Sequence, residues 1–234
     1  MTYALQVDHL AVRFGTTEVI RDLSFAVPHG SSLAVIGPNG AGKTVLFKAL
    51  IGSIAYQGTI RWAAGTRIGY VPQKLDIERD LPITGLDFLH AKAALAKASD
   101  SDVANALERV GLERPMLSAP IGTMSGGQFQ RLLVAFALVG KPNVLLLDEP
   151  AAGIDEPGQE ILDTTIRRLQ QENDVTVLLI SHDLSVVYHY ADAVLCLSRT
   201  HPCFGTPQTV LTPDTLRNLY GTAVDFHVHN RSRN

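Results

Sequence analysis

Cysteine is scarce: the 234-residue chain has two, Cys196 and Cys203, and their spacing is not C-x-x-C. That excludes a disulfide-stapled small domain. Cys196 lies in an apolar run and reads as a small buried residue, so a disulfide between the two is not expected. No basic block of five or more residues occurs and the formal net charge is −3, so the footprint of a nucleic-acid binder is missing. The longest uninterrupted apolar run, residues 132–139, falls far short of the roughly 20 residues that a membrane span requires. The start has neither the charged stretch nor the apolar core of a signal peptide. A protein made and kept in the cytoplasm is the expectation. No internal repeat or low-complexity tract is visible. Aromatics are 6 %, charged residues 18 % and hydrophobic residues 46 %, an ordinary globular composition in a chain long enough to bury a core.

What is present is concentrated in short motifs. Residues 37–44 read Gly-Pro-Asn-Gly-Ala-Gly-Lys-Thr and fit G-x-x-x-x-G-K-[ST], the phosphate-binding P-loop. Gly37, Gly40 and Gly42 free the backbone to turn amide groups onto phosphate oxygens. The stretch Gly37, Pro38, Asn39, Gly40, Ala41, Gly42, Lys43, Thr44, Val45 is therefore the candidate nucleotide cradle. Lys43 would reach the β and γ phosphates, and Thr44 would offer its hydroxyl to Mg2+. A strand-like run at 31–36 precedes the loop and a helical pattern at 43–50 follows it, so the phosphates would sit at a helix N-terminus.

Residues 123–128, Thr-Met-Ser-Gly-Gly-Gln, stand before an apolar helical run at 129–139. Alone, they are an ordinary polar helix cap with a flexible approach. Beside a P-loop, they resemble the signature motif of ABC-type ATPases, with Met124 where that family usually has Leu. The resemblance implies that Ser125, Gly126, Gly127 and Gln128 help to bind nucleotide. Residues 144–150, Val-Leu-Leu-Leu-Asp-Glu-Pro, are similar to the family's Walker B motif. They form a continuous apolar run, as a buried parallel strand requires, ending in two carboxylates. Asp148 would then hold Mg2+, and Glu149 would be the general base that polarises the attacking water.

The remaining motifs follow in the family's order. Gln73, after Tyr70-Val71-Pro72, matches the Q-loop, whose amide oxygen ligands Mg2+ or the water; by itself it would be a turn residue. Asp155 matches the D-loop, which contacts the opposite subunit. His182, after the apolar run 175–180, matches the switch histidine and would contact the γ-phosphate; by itself it is a polar surface residue. Phe14 stands where the family stacks an aromatic, usually Tyr, on adenine; alternatively it is a strand aromatic facing the core. The resemblance spans residues 3–221. It implies ATP and Mg2+ as cofactors, with Thr44, Gln73 and Asp148 as the metal-binding group and Glu149 and His182 as the catalytic one.

The fold so implied is an α/β P-loop NTPase of ABC type. Runs at 33–36, 144–148, 175–180 and 193–197 give a parallel core sheet. Two or three short strands within 5–27, with 58–62 and 67–71, give an antiparallel β flank. An inserted helical subdomain occupies about 75–140, with helices over 84–97 and 102–110, the second capped by Ser101 and stopped by Gly111. One ATP-binding domain, 3–225, is followed by a polar tail, 226–234, expected to fray.

In the family two copies face each other, so that Ser125-Gly126-Gly127-Gln128 of one chain closes over nucleotide held by Lys43 of the other. That implies a homodimer of ATPase subunits. It also implies a separate integral membrane permease, a peripheral position on the inner face of the cell membrane, and no nucleic-acid partner. Residues 67–76 with 81–84, and 194–199 with 205–207 and 219–221, resemble ATPase subunits of zinc and manganese importers. A divalent metal delivered by an extracellular metal-binding protein is the implied cargo. An importer of another small solute, a soluble non-transport ABC ATPase and a subunit that binds ATP without hydrolysing it are the alternatives. His201 with Cys203, and His227 with His229, could form a small metal site; solvated side chains are the plainer reading.

Overall fold

The computed structural model describes residues 2–73, 75, 82–152, 154, 156–173, 175–198 and 202–221. In chain order the elements are β1 (Tyr3–Phe14), β2 (Thr17–Pro28), β3 (Ser32–Ile36), α1 (Lys43–Leu50), β4 (Gln57–Trp62), β5 (Ile68–Val71), α2 (Gly85–Ala96) and α3 (Asp100–Arg109). After two 3-10 turns, Arg114–Ser118 and Ile121–Thr123, follow α4 (Gly126–Leu138), β6 (Val144–Asp148), α5 (Glu156–Asn173), β7 (Thr176–Ile180), α6 (Leu184–Tyr190), β8 (Ala193–Cys196), β9 (Cys203–Gly205), α7 (Pro207–Val210) and α8 (Pro213–Tyr220). Among the described residues no helix is long and apolar enough to cross a membrane. The chain packs as two compact units, Met1–Ala64 with Val177–Asn234, and Gly65–Thr176.

The first unit holds an antiparallel sheet ordered β2-β1-β4. In place of two or three short strands, β1 and β2 are long partners joined by a tight turn at Gly15, whose φ of 59° suits glycine. The other strands of this unit are ordered β7-β3-β8-β9, with β3 parallel to both β7 and β8. Every residue of β3 is buried, as its unbroken apolar run requires. Ser32 fixes the start of β3: its N–H donates to the Asp192 carboxylate at 2.7 Å and its hydroxyl donates to the same oxygen at 2.8 Å. β9 runs antiparallel to β8 and sets Cys196 opposite Cys203. The structure joins the two in a disulfide, correcting the expectation that they stay apart. Seven residues of separation concealed a direct cross-strand pairing.

In the second unit β5 is parallel to β6. Residues 67–71 therefore belong to the core parallel pairing and not to the antiparallel flank. Among the described residues between Gln73 and Val139 there is no strand, and α2, α3 and α4 pack on one another. Phe88 of α2 stacks on Phe136 of α4 with ring centroids 4.4 Å apart. Helix α3 starts two residues earlier than its pattern implied, because its cap is Ser99 and not Ser101. Ser99 and Asp102 form a capping box, each bonding the other's backbone N–H. Gly111, at φ 62°, ends it as expected.

Candidate functional site

The P-loop spans the gap between β3 and α1 in the first unit. Gly37, Gly40 and Gly42 all have positive φ, 148°, 78° and 99°. A Cβ on Gly37 would run into the carbonyl of Leu197, and one on Gly42 would lie 2.9 Å from the Val19 side chain. These glycines are thus required by close approach as well as by conformation. Asn39 and Gly40 form the exposed crown; Pro38, Thr44 and Val45 are half-buried, and Ala41 is buried. Lys43 is 7 % exposed and folds back on its own loop, donating through Nζ to the carbonyls of Gly37 at 2.9 Å and Pro38 at 3.2 Å. A cavity of about 440 Å3 lies against Ala41 and is lined also by Val19, Ile20, Leu197 and Ser198.

Register aligns the rest of this unit with the loop. Val35 pairs with Ile180, so Gly37 lies level with His182 just past the ends of β3 and β7. His182 is exposed and precedes α6, which Asp183 caps by accepting the N–H groups of Ser185 and Val186 at 2.8 and 3.2 Å. Phe14 is 52 % exposed at the end of β1, which rules out the core-facing reading.

In the second unit the parallel register sets Val71 beside Leu147, and therefore Gln73 level with Glu149. The two side chains meet: Gln73 Nε2 donates to Glu149 Oε2 at 2.6 Å, leaving the amide oxygen outside that bond. Glu149 has φ 49°, a left-handed backbone that glutamate seldom adopts. Its carbonyl accepts the Ala152 N–H at 3.1 Å, closing the turn after Pro150. Asp148 is 1 % exposed at the end of β6. Tyr70 on β5 is pushed up to about 12, mainly by burial and secondarily by the Asp148 carboxylate, so it stays a neutral phenol.

Ser125 caps α4 with a capping box: its hydroxyl accepts the Gln128 N–H at 3.2 Å, and Gln128 Oε1 accepts the Ser125 N–H at 3.0 Å. Ser125 and Gly126 are exposed, whereas Gly127 and Gln128 are half-buried. The structure thus groups the P-loop with His182, pairs Gln73 with Glu149, and leaves the Ser125 corner open at its own helix end. Asp155, His201, His227 and His229 lie outside the described residues, as do Lys74, Asp76, Leu81 and Arg199 of the importer-like segments. Among the described residues no group of three or more His, Cys, Asp and Glu side chains could hold a metal ion. Burial pushes the phenol of Tyr220, at the end of α8, up.

The profile of the ABC transporter family matches residues 20–152. The zinc import ATP-binding protein ZnuC of Roseobacter denitrificans is 39 % identical over 219 residues, covering 93 % of this chain and 84 % of that one. Its namesake in Yersinia enterocolitica is 39 % identical over 237 residues, covering 98 % and 92 %. A solved metal-chelate-type ABC transporter in an inward-facing conformation superposes with a TM-score of 0.83 at 27 % identity, over 94 % of this chain and 90 % of that chain. With the family profile covering more than half of the chain and these relatives covered over most of their length, the chain belongs to the ABC transporter family as an ATP-binding, ATP-hydrolysing subunit.

Proposed function

We propose that this ATPase powers import of a divalent metal ion, zinc or manganese, through a separate membrane permease. The observation that carries the reading is the likeness, near 40 % identity over more than nine-tenths of the chain, to proteins named for zinc import. Zinc is accordingly the first candidate. The metal-chelate-type neighbour favours a second reading, a chelated metal as cargo.

The site residues take these roles. Gly37 to Val45 cradle the triphosphate, and Phe14 stacks on adenine. Mg2+ fits the donor set: the Thr44 hydroxyl, the Gln73 amide oxygen and the Asp148 carboxylate are the hard oxygen ligands this ion prefers. Bound there, Mg2+ would supply positive charge to offset that of the phosphate oxygens. Glu149 is the base that takes the proton of the attacking water, and Gln73 orients it. His182 contacts the γ-phosphate. Ser125, Gly126, Gly127 and Gln128 close over nucleotide held by a second copy of the chain, so the working form is a homodimer. The helical segment about 75–140 passes the closure to the permease, within a single ATP-binding domain spanning 3–225. An extracellular metal-binding protein supplies the cargo, and the subunit sits on the inner face of the membrane.

Deleting the gene and measuring cellular metals tests this reading. The expected result is lower zinc or manganese, with growth under chelation rescued by the free metal salt. Rescue by a metal chelate alone would favour the second reading. Unchanged metal content together with a defect in another nutrient would overturn both.

A further inference from the structure

Strand β8 ends beside the P-loop. Its parallel register sets Cys196 level with Ile36, the last residue of β3 before the loop. One residue on, the Leu197 N–H donates to the Ile36 carbonyl at 2.8 Å. The Leu197 carbonyl lies so near Gly37 that a Cβ there would run into it. Leu197, Ser198 and Pro202 line the 440 Å3 cavity together with Ala41 of the loop. Cys196 therefore anchors the peptide that backs the nucleotide cradle. Its partner stands on β9, a strand of three residues at the sheet edge, where β8 is its one neighbour. The Cα atoms of Cys196 and Cys203 are 4.8 Å apart across that pair, within a disulfide's reach. Cys196 is fully buried in the apolar cluster that holds Ala34 and Ile36, and Cys203 is half-buried at its margin. Cys203 is thus the sulfur that a reagent from solvent reaches first.

We propose that Cys196 and Cys203 form a redox-modification site: the chain binds ATP more tightly with the disulfide closed than with two free thiols, and a cellular dithiol interconverts the two forms. In reduction, a thiolate of the dithiol attacks Cys203 Sγ. The bond between the two Sγ atoms breaks, and Cys196 leaves with the electron pair and takes up a proton in its apolar surroundings. The second thiolate of the dithiol then displaces Cys203 from the mixed disulfide. The dithiol has given two electrons and two protons to the cysteine pair and departs as its own disulfide; reoxidation runs the same steps in reverse. The closed bond ties β9 to β8 and holds the Leu197 peptide against Gly37. Once it is open, β9 keeps only a three-residue edge ladder, and ATP must order that peptide as it binds, at a cost in affinity. The inference rests on the proposed place of the subunit at the inner face of the membrane, where thiols are kept reduced and a disulfide is characteristically a sensor.

The test compares the purified full chain oxidised, reduced with dithiothreitol, and as Cys203→Ala. Alkylation read by mass spectrometry counts the thiols, calorimetry gives the Kd for Mg-ATP, and melting without nucleotide shows that each form is folded. The reduced chain and Cys203→Ala are expected to bind Mg-ATP roughly fivefold more weakly than the oxidised chain. Reoxidation restores the parent's affinity, and dithiothreitol leaves that of Cys203→Ala unchanged. Linkage requires the same factor in reverse: saturating Mg-ATP makes the disulfide harder to reduce, by about 20 mV for a fivefold effect, in graded mixtures of dithiothreitol and its disulfide. Equal or tighter ATP binding by the reduced chain would overturn the proposal. So would a reduced chain that unfolds, because the bond would then be a staple of the fold and not a switch. Permease and cargo metal are absent from these measurements, so such a result leaves the import reading standing.

Discussion

Glu149 carries two marks of a working residue at once. Its backbone sits at φ 49°, and its carboxylate accepts a 2.6 Å bond from Gln73. A left-handed non-glycine residue persists where its surroundings over-determine it, here the turn to Ala152 and the bond to Gln73. If Glu149 is the base, Glu149→Gln removes proton acceptance and keeps the shape. Its kcat should fall roughly 10²- to 10⁴-fold while ATP binding survives, measured by single-turnover hydrolysis and by calorimetry. Gln73→Glu would set a second carboxylate against Glu149. Like charges disfavour joint ionisation, so the pair's upper pKa rises and the base is protonated over a wider pH range. The acidic limb of the pH–rate profile should move upward, with little activity near neutrality and recovery as pH increases. A limb that stays in place would show that the pair does not govern hydrolysis.

At the scale of elements, the capping boxes built on serine in the second unit open two helices, α3 and α4, with different duties. Ser99 and Ser125 each complete a capping box, so either serine to alanine should cost about 0.5–2 kcal/mol of stability, seen as similar losses in denaturant midpoint. Only Ser125→Ala should also depress ATPase turnover, because only that corner is proposed to meet nucleotide. Equal effects on activity would reduce the signature serine to a helix cap. The α3 box adds a pH signature. Asp102 accepts from Lys141 Nζ at 2.7 Å and from Ser99, which hold its carboxyl down at about 2 against an ordinary 3.8. A depressed carboxylate contributes its full share above the unfolded value and loses it as pH falls through the folded one. The stability difference between the parent and Asp102→Asn should therefore be constant above pH 3.8 and shrink toward pH 2, followed by denaturant titration at each pH.

At the scale of the whole molecule, the exposed Ser125 corner and the P-loop are proposed to work in trans between two copies. Ser125→Arg should leave ATP binding nearly intact yet block closure, because a bulky cation replaces a small hydroxyl. Mixed with Lys43→Ala chains, it should regain hydrolysis from the one site per heterodimer built of two undamaged halves. Mixtures no more active than either variant alone would count against shared sites.

Local pattern determined much of this protein. The P-loop glycines, the unbroken apolar runs of β3 and β6, the serine before α4 and the glycine after α3 each announce their element within a few residues. Backbone conformation and burial act at that range. Pairing does not. Residues 67–71 are too short and too ordinary to reveal whether they join a flank or a core; only the parallel register with β6 decides it, and that register is what brings Gln73 to Glu149. Likewise β9 turns back on β8 and joins Cys196 to Cys203, which composition alone argued against. Tyr220 packs against an apolar cluster that holds Ala34 and Ile36 of β3, residues from the far end of the sequence. Chemistry written in one stretch of chain is legible there. Chemistry made by two stretches meeting is decided by the packing that brings them together, because hydrogen bonds and close contacts act over a few ångströms, whatever the distance along the chain.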